Sequence, residues 1–180
     1  MIKNSVRSPV PYRIRIRTIN AMSYSIVVGI STKLRGPDLT GRHAFIMCLS
    51  SEDPQMNLML DASGHYGNKR KSDVICGSEI KIDIESYISF FHKKQKLTAF
   101  KLRLDERDAE CIYNLVSAVR GRTCALCACR VSLLLKKSGL FPGLHIYITP
   151  RALLRYMTKW AELHPEKVSV SAEAFKTMFV

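Results

Sequence analysis

Arg122-Thr-Cys-Ala-Leu-Cys-Ala-Cys-Arg-Val-Ser-Leu-Leu-Leu-Lys-Lys-Ser-Gly139 is the stretch on which the reading of this chain turns. If Cys127 opens a helix, Val131, Leu134 and Leu135 follow at helical spacing on one apolar face, and Ser138-Gly139 closes the helix. The thiol then lies at a helix N-terminus. There the positive end of the helix dipole favours a thiolate, and unpaired backbone N–H groups can receive an oxyanion. Cys124 is the rival nucleophile, but it would align Ala128, Val131 and Ser132, a poorer apolar stripe. Cys129 is a third thiol in the segment. The plain alternative is that these cysteines fill a core as small hydrophobes.

Two residues far upstream bear on that choice. His43 opens a short apolar run in Gly41-Arg-His-Ala-Phe-Ile46, just after a turn marked by Gly36, Pro37 and Asp38. A histidine there stands at the edge of a core, where it can face a cleft. Asp61 ends the next apolar run, Leu58-Met-Leu-Asp61, and residues 43–62 read as a hairpin. A carboxylate so placed can bond one imidazole nitrogen and leave the other to take a thiol proton. His65, in the following polar loop, is the rival for that orienting role.

The rest of the chain alternates strands and helices. Residues 21–31 carry β-branched and aromatic side chains and are predicted as a strand, and residues 97–104 as another. Ile84, Tyr87, Ile88 and Phe91 recur at helical spacing within 83–93. Asp105, with Asp108 three positions on, predicts the cap of a helix ending at Gly121. The cysteine helix is expected over 127–137 and a short strand over 145–148. Thr149-Pro150 suits the cap and first position of a last helix, stopped by Pro165. With no internal repeat or linker, the expectation is a basic arm over 1–18 and a single domain over 19–180.

The order of these features resembles the circularly permuted members of the NlpC-like superfamily: papain-fold cysteine peptidases, amidases and lecithin:retinol-acyltransferase-like enzymes. His43-Ala44-Phe45-Ile46 is similar to that family's His-Ala-x-Ile. Cys127, Val131, Leu134, Leu135 and Gly139 occupy the places of its Cys-x-x-x-Val-x-x-Leu-Leu-x-x-x-Gly, and Thr149-Pro150-Arg151-Ala152-Leu153 resembles a following Thr-Pro-x-x-Leu. Leu126 and Arg130 depart from the pattern, which often has Asn and an aromatic residue there. The resemblance implies an α+β, permuted papain-like fold with a small antiparallel sheet and the cysteine helix packed on it. It also implies acyl transfer through a thioester on Cys127, with His43 as base and Asp61 orienting it. The implied substrates are peptides or peptidoglycan stems, or a glutamine of a host protein, with lipid acyl transfer as the alternative chemistry of the same fold.

Composition limits the partners. The chain has 180 residues, of which 47% are hydrophobic, enough for one core. Its net charge of +13, from 28 basic and 15 acidic residues, predicts attraction to an anionic polymer or membrane surface. A non-catalytic nucleic-acid-binding module is the competing class. It is supported by this charge and by Arg7, Arg13, Arg15 and Arg17, with further clusters at Lys69-Arg70-Lys71 and Lys93-Lys94. No zinc finger or stacking-aromatic motif accompanies them. The six cysteines show no spacing that predicts disulfides, and Cys124-x-x-Cys127 lacks the second ligand pair of a zinc site, so no metal or cofactor is expected. No apolar run approaches the ~20 residues of a membrane span, and the basic N-terminus has no apolar segment behind it. The expectation is a protein cytoplasmic as made, with leaderless export if it acts elsewhere, as a secreted bacterial effector or toxin would.

Overall fold

The computed structural model of the protein describes residues 24–33, 37–62, 66, 72–82, 84–91, 95–121 and 126–171. The basic arm, His65, Cys124 and the clusters at 69–71 and 93–94 lie outside the described residues. Six strands form one antiparallel sheet: β1 (Tyr24–Lys33), β2 (His43–Ser50), β3 (Leu58–Leu60), β4 (Val74–Cys76), β5 (Gln95–Leu104) and β6 (Val168–Ser171). Their order is β4-β3-β2-β1-β5-β6. Four helices join them: α1 (Ile84–Phe91), α2 (Glu106–Ser117), α3 (Cys127–Ser138) and α4 (Pro150–Leu163). The architecture is therefore α+β. No described helix is long and apolar enough to cross a membrane.

Strand β1 is buried on both faces, as its run of β-branched residues requires. Ile26, Val28 and Ile30 join Ala44, Ile46 and Cys48 of β2 in the larger core, which takes in Ile112, Val131, Leu135 and Met157 from α2, α3 and α4. On the other face Val27, Phe45, Met47 and Met59 pack with Ile84 and Tyr87 of α1. The sheet is thus a filled layer between α2, α3 and α4 on one face and α1 on the other, and its period-two alternation sorts each strand's side chains between them.

The helix signals act locally. The Asp105 carboxylate caps α2 by accepting from the N–H of Asp108, and the Thr149 hydroxyl caps α4 by accepting from the N–H of Ala152, with Pro150 in the first turn. Gly139 closes α3 in the left-handed conformation, φ 75°.

Four expectations need correction. Residues 145–148 are an irregular connection, not a strand, because the N–H of Tyr147 donates to the buried Ser132 hydroxyl of α3 at 2.9 Å and not to a sheet neighbour. Helix α2 ends at Ser117, four residues before Gly121, whose φ of 68° marks the turn that follows. The second strand of the 43–62 hairpin is short, Leu58–Leu60, and stops one residue before Asp61. The sheet is larger than foreseen, since the short edge strands β4 and β6 extend it on both sides.

Candidate active site

The site forms where β2 begins, β3 ends and α3 starts. Strands β2 and β3 pair antiparallel, with Ile46 opposite Leu60 and Cys48 opposite Leu58. One step further along this register sets Phe45 against Asp61 and leaves His43 on the diagonal. Two backbone bonds hold the end of β3 in place. The N–H of Asp61 donates to the carbonyl of Asp73 at 2.9 Å, and the N–H of Asp73 donates to Gly121 at 2.9 Å. The start of β2 is held from the other side: Arg42 N–H donates to Ser31 at 2.9 Å, and Arg151 N–H, in the first turn of α4, donates to Thr40 at 3.0 Å. Gly41 between them has φ 78°, and a Cβ there would lie 2.8 Å from the Arg151 nitrogen. Glycine lets the loop before His43 press against α4.

Nε2 of His43 lies 2.6 Å from Oδ1 of Asp61, which is fully buried. An ionised carboxylate only accepts, so Nε2 carries the proton and Nδ1 is the nitrogen left for the thiol. The Cys127 side chain is hydrogen-bonded to His43 and also receives the backbone N–H groups of Ala44 and Ala128. Leu126, at the cap position of α3, provides no side-chain bond. The first turn of α3 therefore has no cap from the Leu126 side chain, and its N–H groups lie beside the sulfur.

The electrostatics follow from this packing. Burial works against the charged imidazole, but hydrogen bonds to Asp61 and Cys127 and the charges of both outweigh it, raising His43 from 6.5 to about 9. Burial also pushes the Cys127 thiol up. The hydrogen bond and charge of His43, with the two N–H groups, more than offset this and hold the thiol below its ordinary value. Cys48 shows what burial does unopposed: its thiol is pushed far up. The pair at the start of α3 thus favours thiolate and imidazolium together. No family model, curated protein or solved structure matches this chain.

His43, Asp61 and Cys127, distant in sequence, are brought into one chain of contacts. Cys129 is two residues along the helix, only partly buried, and outside that chain of contacts. Sequence reading missed Tyr87, whose hydroxyl donates to the same Oδ1 of Asp61 at 3.3 Å. Its ring is buried against Phe45, with centroids 4.2 Å apart. In sequence Tyr87 is one aromatic residue in an apolar helical stripe, and nothing there separates it from the core. Sequence reading also missed Asp73, buried below the site with Arg130 of α3 at 4.0 Å. A cation one turn after the nucleophile was the available hint. Among the described residues, no three His, Cys, Asp or Glu side chains group as metal ligands.

Proposed function

We propose that this chain is a cysteine hydrolase of the circularly permuted papain-like kind, working by acyl transfer through Cys127. The observation that supports it is the position of the His43 ring between a buried carboxylate and a thiol at a helix N-terminus. The Cys127 thiolate attacks a carbonyl carbon, and the carbonyl electron pair moves to oxygen, where uncapped N–H groups of α3 receive it. As the intermediate collapses, the bond to the leaving amine breaks and His43 donates its proton to that amine. Water then attacks the thioester, His43 takes a proton from it, and the acid is released with Cys127 restored. Asp61 keeps the imidazole in the tautomer that both steps need. The substrate class is an amide of a peptide or peptidoglycan stem, or of a protein side chain. An acceptor other than water turns the same machinery to acyl transfer.

Alkylation by iodoacetamide near neutral pH, resolved by mass spectrometry of each cysteine, tests the activation. Cys127 should react far faster than Cys48, Cys76 or Cys111, and should lose that advantage in His43→Ala. Incubation with peptide and peptidoglycan amides should trap an acyl adduct on Cys127. Uniformly slow cysteines with no adduct would overturn the reading.

A further inference from the structure

Asp73 stands where three parts of the candidate site meet. It continues the β3–β4 register by one step: Leu60 lies opposite Val74, which sets Asp61 against Asp73. Its carbonyl accepts the N–H of Asp61 at 2.9 Å, and its own N–H donates to the carbonyl of Gly121 at 2.9 Å. Its carboxylate faces a partner on α3, with Oδ2 lying 4.0 Å from Nη2 of Arg130. Arg130 is one turn after Cys127, and its N–H donates to the carbonyl of Leu126 at 3.0 Å, closing the first turn of α3. One residue thus joins the strand end that carries Asp61, the turn at Gly121 and the helix that carries the thiol.

The Asp73 side chain is 1% exposed and that of Arg130 28%, and Nε of Arg130 is buried without a hydrogen-bond partner. Taking an ion pair out of water is costly, and apolar side chains of similar volume often stabilise a fold as well or better. Stability alone therefore gives little reason for this pair. Fixing a register does, and that is the best-attested use of buried charges.

The site needs such a fix. The Cys127 thiol is held down by His43 and by the N–H groups of Ala44 and Ala128. His43 and Ala44 belong to β2, and Ala128 belongs to α3. The effect therefore depends on how the start of α3 is set against the strands. The charged and titratable groups at this corner are His43 from β2, Asp61 and Asp73 from the β3–β4 end, and Arg130 on α3 itself.

We propose that Asp73 and Arg130 are positioning residues that pin the start of α3 to the end of β3 and so hold Cys127 at His43. The inference rests on the reading of Cys127 as the nucleophile, and it assigns neither residue a chemical step.

Alkylation of Cys127 by iodoacetamide across a pH series tests it, with each cysteine followed by mass spectrometry. In wild type the rate should reach half its maximum below the ordinary thiol range. Asp73→Asn and Arg130→Met should each raise that midpoint by about one pH unit, the lower end of what an opposite charge brought close does to a pKa. Below both midpoints the thiolate share is then about tenfold smaller. The double variant should match the single ones, because either change breaks the same pair. Arg130→Lys, which keeps the cation, should fall between wild type and Arg130→Met. Arg103→Met removes an exposed cation opposite Ser25, at the end of β1 away from His43, and should leave the midpoint where it was. Circular dichroism checks the fold of each variant, and if Asp73→Asn does not fold, the two Arg130 variants decide. A purely structural pair would lower the melting temperature and leave the midpoint unmoved, which would overturn the inference. Additive shifts, a lysine variant no better than methionine, or an equal shift in Arg103→Met would overturn it too. A wild-type midpoint in the ordinary thiol range would overturn the catalytic reading and this inference with it, so the two failures are told apart.

Discussion

The protonated Nε2 of His43 donates to Oδ1 of Asp61 across 2.6 Å, inside a site where that carboxylate has no access to water. With Nε2 held by Asp61, the other ring nitrogen is the one left to serve Cys127, whose thiol the hydrogen bond and charge of His43 hold down. Asp61→Asn keeps the shape but lets the amide donate, which favours the wrong tautomer. Turnover should fall by up to roughly 10⁴-fold, the scale known for that change in a serine-protease triad, with KM little changed. Steady-state kinetics check it, and full activity would mean that another group orients His43.

Cys127 and His43 act on one proton, so their losses should not add. Cys127→Ser, His43→Ala and the double variant should all show nearly the same residual turnover. Serine keeps the volume of the buried thiol, which makes it the better single change where packing matters. Additive losses would show that the two residues do not form one unit.

The pH profile of turnover should be a bell. Its alkaline limb falls near pH 9, where the raised His43 loses the proton needed by the leaving group. Its acid limb falls below the ordinary thiol range, because Cys127 is held down by His43. The limbs belong to the coupled pair. The raised imidazole also stabilises the fold. That contribution is complete below about 6.5 and is lost as pH rises through about 9, which chemical denaturation at a series of pH values checks.

Tyr87 acts through Asp61. Tyr87→Phe removes one donor from Oδ1, so the carboxylate charge bears more fully on His43 and the alkaline limb should move up. Stability should fall by about 1.5–3 kcal/mol, the range for losing a hydrogen bond to a charged group. A purely structural role for Tyr87 would lower stability and leave the limb where it was.

Gly29 lies opposite Phe45 in the β1–β2 register, and a Cβ there would stand 2.0 Å from Cζ of Phe45. The ring has no free space to retreat into, since Tyr87 packs on its other side. Gly29→Ala should cost about 1–3 kcal/mol by overpacking, measured by denaturant unfolding. It should also reduce Cys127 alkylation, because Phe45 is two residues from His43.

The amino-acid sequence by itself determined the features that depend on near neighbours. Asp105, Thr149-Pro150 and Gly139 mark helix ends through bonds made within a few residues, and the apolar runs of β1 and β2 declare burial through their own composition. Cys127 at the start of α3 was legible for the same reason: the spacing of Val131, Leu134 and Leu135 belongs to one helix. Tertiary structure alone decided what depends on pairing across the chain. Strands β4 and β6 have only three and four residues, too short to carry a period, and exist because β3 and β5 offer them open hydrogen-bonding edges. Residues 145–148 look strand-like in composition, but their backbone is engaged by Ser132 and their apolar side chains turn outward. Tyr87 meets Asp61 only because α1 crosses the face of the sheet opposite α3. The contact between His43 and Cys127 spans more than half of the described fold. No local propensity encodes it; the packing of α3 against β2 creates it.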